Sequence, residues 1–447
     1  MATRNIPKVP FSVVLPDMFQ FVRNPIPILE KYHKNYGSTF QLKIGGGIPA
    51  IVSNEADFAQ HILQKNHRNY KKSAIQTKTL NNFLGKGLLT SEGAYWLRQR
   101  RLIQPGFHRN RLAAIVGIMD QVIDKFFQEF DQKIEGQKEL DLAPEMMMLA
   151  FRVVAESLFS TNVKEEELLE LAHTITMIQE FLVKQIRLPF LNPWFKLSGA
   201  LRRHIRLAEK AGSTITQYIE ERRASAKSED DLLQMLLDSR YEDTGEGMSN
   251  QQIRDESFVL FVAGHETTAN ALCWILYLLS KHPEAIEKIR IEHQEILQGN
   301  KPSFKDLPQL RYLSQVINES MRLYPPAWIT DRTAIKEDEI NGLPIPQNTM
   351  LVPFIYGVHR SENNWEAAHE FRPERFEDTK HGFRYLPFGG GPRLCIGNSF
   401  AIMEMQLIIS QILLRYNFTL VKDQKIEAQP LVTLRPKYGI RFRFEIR

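Results

Sequence analysis

Apolar residues return every three to four positions through residues 112–280, the spacing that lines one face of a helix, whereas strict alternation is confined to the two ends of the chain. Residues 165–186 and 199–223 read as amphipathic helices. Between them, residues 188–195 form an apolar loop broken by Pro189 and Pro193. Residues 249–281 are the longest helix candidate. Ser249 and Gln252 have the form of a capping box, and Pro283 marks the end. At about 1.5 Å per residue such a helix reaches across a whole domain. Residues 307–324 predict another helix, stopped by Pro325-Pro326. Residues 39–52 alternate around Gly45-Gly46-Gly47 and read as a β-hairpin, and residues 418–447 alternate again. The balance predicts a mainly α fold with small β sheets.

A length of 447 residues would by itself suggest about two or three domains. The sequence contains no Gly/Ser-rich or Pro-rich linker, no low-complexity run and no internal repeat, so one domain spanning 1–447 is expected. A net charge of +5 without a basic stripe gives no support to nucleic-acid binding. Two cysteines, Cys273 and Cys395, make no disulfide framework and fit a reducing cytoplasm. Cys273 lies in an apolar helical stretch and reads as core. The first twenty residues show neither a signal-peptide core nor a spanning segment, so a soluble cytoplasmic protein without a membrane anchor is expected.

Cys395 differs from Cys273. It stands in Phe-Gly-Gly-Gly-Pro-Arg-Leu-Cys-Ile-Gly, residues 388–397, with a long apolar segment directly after it. Glycines allow a backbone to approach a flat cofactor, and a lone thiolate there suits an axial iron ligand. Phe388, Gly391, Arg393, Cys395 and Gly397 fill the pattern F-x-x-G-x-R-x-C-x-G, continued by Phe400, Ala401 and Glu404. In these residues the chain resembles the cytochrome P-450 superfamily, from about residue 30 to the C-terminus. The resemblance implies the P-450 fold and heme b held by the Cys395 thiolate. With no C-x-x-C-H motif, attachment should be non-covalent.

Further motifs fall in the family order. Ala263-Gly-His-Glu-Thr-Thr lies inside the long helix candidate. Small Ala263 and Gly264 admit a flat group. The resemblance makes Glu266 and Thr267 the acid–alcohol pair that delivers protons during oxygen activation. A mid-helix threonine otherwise bonds back to a carbonyl one turn earlier. His265 is expected to be a hydrogen-bonded bundle residue rather than a ligand. Glu319 and Arg322 resemble the family E-x-x-R pair, with Arg375 of Pro-Glu-Arg-Phe completing a buried charge network. Trp96, Arg100, Arg332 and Arg393 match the family contacts to the heme propionates. Arginine suits such carboxylates.

The family sets substrate choice partly with a segment here at residues 69–82, rich in amides, hydroxyls and lysines, and partly with the turn after Pro326. Trp328 there offers a flat wall for a sugar face. The chain is similar to soluble P-450s of marine polysaccharide-degrading bacteria, some resembling sugar O-demethylases. This implies a monooxygenase that demethylates 6-O-methyl-galactose with release of formaldehyde. The alternative is hydroxylation of a fatty acid or terpenoid, favoured by the apolar loop 188–195. A heme-thiolate gas sensor is a third reading, opposed by Glu266 and Thr267. With no flavin or iron–sulfur segment, electrons are expected from a separate ferredoxin and its reductase, docking near Arg98, Arg101 and Arg393.

Overall fold

The computed structural model describes residues 5–44, 48–160, 165–225, 228–378 and 380–447. Helices dominate, as the periodicity predicts. The longest, Asn250–Lys281, starts at Ser249 with the capping box formed in both directions. At 32 residues it runs for about 48 Å. Packed against this central helix are Leu142–Phe159, Ala200–Ala224, Arg311–Leu323 and Asn398–Arg415. Leu272, Ile275, Leu276 and Leu279 of the central helix sit in a core shared with Phe151, Leu313, Ile408 and Phe442.

Strands come from both chain ends and also from the interior of the sequence. Thr39–Ile44 and Ile48–Ser53 pair antiparallel with Thr39 opposite Ser53, as the alternation predicts; the turn at 45–47 lies outside the described residues. Ile48–Ser53 then pairs in parallel with Met350–Pro353, and Arg332–Ala334 and Tyr70–Lys71 complete a five-stranded sheet. Tyr416–Leu420 and Arg441–Ile446 realise the alternating C-terminal tail.

Two boundaries move because of prolines. The helix predicted over 307–324 divides into a short turn, Leu307–Gln309, and the helix Arg311–Leu323, with Pro308 at the start of the first piece. The apolar loop 188–195 is ordered as a turn, Pro189–Leu191, and a short helix, Asn192–Leu197. Each has a proline in its opening positions, where a missing N–H costs nothing. Helices Phe11–Arg23 and Pro25–Tyr36 are additional to the sequence expectation.

Candidate functional site

The loop before helix Asn398–Arg415 is folded by close approach. Gly391 has φ +65°, and a Cβ there would lie 1.8 Å from the carbonyl oxygen of Leu63. Only glycine fits that turn. The Cys395 N–H donates to the Phe388 carbonyl (3.0 Å), closing the loop under the sulfur. The thiol is surface-accessible, yet closely surrounded by protein, as expected on the floor of a recess. Burial raises its pKa, while the Gly397 backbone N–H and the Arg100 charge act in the opposite direction. A metal cation supplies the charge that such a thiol needs to ionise.

Ala263 is exposed midway along an otherwise buried helix, and Thr267, one turn on, is partly exposed on the same face. A flat group can rest on this strip. The Thr267 hydroxyl donates to Ala263 O at 2.8 Å, the local bond a mid-helix threonine makes. Adjacent Glu266 points elsewhere. It is buried, accepts Gln179 Nε2 at 2.7 Å and is influenced by Thr433 and Arg435. Burial raises its pKa. Glu266 and Thr267 thus face different sides of the helix, and a proton passing between them needs water. His265 Nδ1 lies 2.8 Å from Phe261 O, and burial holds its pKa down to about 4. It is the bundle residue the sequence suggests.

Cations gather on one side of this recess. Arg393 lies 3.9 Å over the Trp96 ring, pairs with Glu92 (2.6 Å) and donates to Ser91 O. Burial lowers its pKa to about 10. Arg332 is buried and donates to Asp331 O at 2.6 Å. The sequence reading missed Lys72. It is buried, its Nζ donating to Leu88 O (3.1 Å) and Leu89 O (2.6 Å). Burial first, then Arg393 and Arg332, push it down to about 7. Three mutually repelling cations around Glu92 and Asp331 fit a ligand that brings carboxylates, as heme does. Arg100 stands apart, donating to Leu394 O at 3.0 Å beside the cysteine loop. The residues present fit heme: the Cys395 loop would supply the thiolate, Ala263 leaves room for a flat group, and Lys72, Arg332 and Arg393, with Trp96 beside Arg393, would meet its carboxylates.

Glu319 and Arg322 form the expected buried pair (2.7 and 2.8 Å), and Arg375 reaches Glu319 at 3.4 Å. Arg322 also donates to the carbonyls of His359, Ala368 and Glu370, fixing the chain that leads into the cysteine loop.

Two expectations are corrected. Trp328 is not a sugar platform: it is buried, its indole N–H donates to Leu431 O (3.1 Å), and Phe354 meets it edge-on. Nor is Arg393 part of an open docking surface, since Glu92, Ser91 and Trp96 hold it. The polar segment 69–82 is also tied down internally. Gln76 Nε2 donates to the Asp331 carboxylate (3.0 Å) and Thr77 to Ser73 O (3.0 Å).

The cytochrome P450 family profile matches residues 7–443. Among relatives, a cytokinin hydroxylase of Arabidopsis thaliana is 32% identical over 430 residues, covering 93% of this chain and 82% of its own. The cyclooctat-9-en-7-ol 5-monooxygenase of Streptomyces melanosporofaciens is 33% identical over 387 residues, covering 85% and 82% respectively. The solved cytochrome P450DA heme domain superposes with a TM-score of 0.88 at 23% identity, over 100% of this chain and 99% of that one. An accessible cysteine in a glycine-turned loop, a buried cluster of three cations, and a central helix with an exposed alanine and a partly exposed threonine accord with these likenesses: the chain belongs to the cytochrome P450 family and is a heme-dependent monooxygenase.

Proposed function

We propose that the enzyme hydroxylates an apolar, terpenoid-class carbon skeleton. The observation that carries this is the state of the polar groups. Gln76, Thr77 and Trp328 are engaged within the protein, while Ala263, Leu89 and Val432 stand exposed on segments that meet the central helix. Leu89 belongs to the loop anchored to that helix by Glu256, and Val432 precedes Thr433, which bonds Asn270. Apolar walls with few polar groups suit a hydrocarbon ligand. The Streptomyces relative, named for oxygenating a cyclic hydrocarbon alcohol, supports the same class.

Heme, bound through the Cys395 thiolate, supplies dioxygen activation. The chain's part is to hold substrate, hold the thiolate and bring protons. Thr267 can turn its O–H away from Ala263 O and hold a water at the recess. Glu266 carries a proton inward from the side where Arg435 faces Glu180 (3.8 Å) near the surface. A separate ferredoxin is the proposed electron donor. Arg101 is exposed for it, and Arg98, 3.0 Å from Asp243, is held beside it.

The test is turnover of the heme-loaded protein with ferredoxin, its reductase and cyclic terpenes under isotopically labelled dioxygen. One labelled oxygen atom should appear in the product. Thr267→Ala should lower product per reducing equivalent by roughly tenfold or more and release peroxide instead. Formaldehyde from 6-O-methyl-galactose, with no terpene product, would restore the sugar reading.

A further inference from the structure

Glu256, on the first half of the central helix, is a fully buried acid. Among the described residues it makes one bond. Its Oε2 accepts the Leu88 N–H at 2.8 Å, and its Oε1 has no partner. Burying a carboxyl is costly when so little offsets it. Burial raises its pKa to about 8 against the opposing Leu88 N–H; Asp255 adds to the rise and Lys72 opposes it. Glu256 is therefore mostly the neutral acid at pH 7. The loop it holds runs close against the helix. A Cβ at Gly87 would lie 2.8 Å from Val259 Cγ2 and 3.0 Å from Glu256 Oε2, so glycine there lets Leu88 reach the acid.

Lys72 holds the same residue from the other side. Leu88 gives its N–H to Glu256 and its carbonyl to Lys72 Nζ (3.1 Å), and the neighbouring Leu89 carbonyl accepts a second N–H of Lys72 at 2.6 Å. An ammonium carries three donors. With two of them fixed on adjacent carbonyls, the direction of the third is fixed as well, and no acceptor among the described residues takes it. After burial, Arg393 and Arg332 are the strongest influences lowering the Lys72 pKa, which places its free N–H among the cations that suit the heme carboxylates. Where that N–H aims depends on where the two carbonyls stand, and Glu256 anchors the loop that carries them.

We propose that Glu256 is a positioning residue for heme: by accepting the Leu88 N–H it fixes the Leu88 and Leu89 carbonyls, which aim the Lys72 ammonium at a heme carboxylate. At neutral pH it serves as an uncharged acceptor, so a glutamine amide oxygen can take its place. The inference does not depend on the class of substrate.

The test is a double-mutant cycle on the heme-loaded full chain. It reads the rate of heme transfer to an acceptor protein and the midpoint potential of the heme iron. Lys72→Met and Glu256→Ala should each speed transfer about tenfold, the loss expected for one hydrogen bond to a charged group. Both should lower the midpoint potential, because removing or displacing a cation beside heme favours the more positive ferric state. The double variant should match Lys72→Met alone, since Glu256 acts through Lys72. Glu256→Gln should keep both values near those of the parent protein. If Glu256→Ala does not fold, Glu256→Asp, one methylene short of Leu88, takes its place in the cycle. Three results would overturn the proposal: a lower melting temperature for Glu256→Ala with transfer rate and potential unchanged, effects of Glu256→Ala that add to those of Lys72→Met, or a Glu256→Gln variant that behaves as Glu256→Ala does. The second would make Glu256 a brace of the loop that acts independently of Lys72.

Discussion

Lys72 concentrates the electrostatics of the site in one side chain. Its ammonium is held down to about 7 by burial and by two arginines, whereas a lysine in an unfolded chain titrates near ~10.4. Between those values the unfolded chain binds more protons, so stability of the protein without heme should rise with pH through that window. The penalty is fully felt below about pH 7. Heme carboxylates should reverse the shift, so heme uptake at about pH 8 should consume protons. Calorimetry in buffers of different ionisation heat reads this directly, and Lys72→Met should abolish it. Cys395→Ser should remove the thiolate signature from the spectrum of the reduced carbonyl complex while the fold survives. At this scale the sequence was legible where chemistry is unusual, as at Cys395 and the Glu319–Arg322 pair. It was opaque where burial decides: Lys72 and Lys71 read alike, yet one lies inside and one outside, and nothing local tells that Trp328 is covered.

The central helix is the element on which the recess depends. In its first half, Asp255 and Glu256 accept the N–H groups of Lys86 and Leu88, each at 2.8 Å, holding the loop that in turn receives Lys72. Farther on, Asn270 and Trp274 hold the hairpin of strands Ala428–Pro430 and Leu434–Pro436 through Thr433 and Leu434 O. Glu256 is buried, and burial lifts its pKa to about 8, so it is largely protonated at neutral pH. Glu256→Gln should therefore change thermal stability little, while Glu256→Ala leaves the Leu88 N–H unsatisfied and should cost about 1–3 kcal/mol. Glu319→Ala strands a fully buried Arg322 and should cost about 3–5 kcal/mol, with faster heme loss, measured by denaturant titration and by transfer of heme to an acceptor protein. This helix was legible because its capping box and Pro283 are local signals. The helix Phe11–Arg23 was not. Pro16 lies inside it, and an internal proline reads locally as a break.

For the whole molecule, the periodicity was enough to expect a helical body with strands at both chain ends, but not the interior strands Tyr70–Lys71, Arg332–Ala334 and Met350–Pro353 that complete the five-stranded sheet. Which segments close over the recess depends on contacts between residues far apart in sequence, such as Gly391 with Leu63 and Gln76 with Asp331. Substrate class depends on those contacts too. Polarity in residues 69–82 suggested a sugar, but in the folded chain Gln76 bonds Asp331, Lys72 bonds the carbonyls of Leu88 and Leu89, and Thr77 bonds Ser73 O. The most direct test of this account is a titration of the ferric, heme-loaded protein, following the Soret band with a cyclic terpene alcohol and, separately, with 6-O-methyl-galactose. The account predicts a low-to-high-spin shift with the terpene alcohol and none with the sugar. A shift with the sugar alone would contradict it.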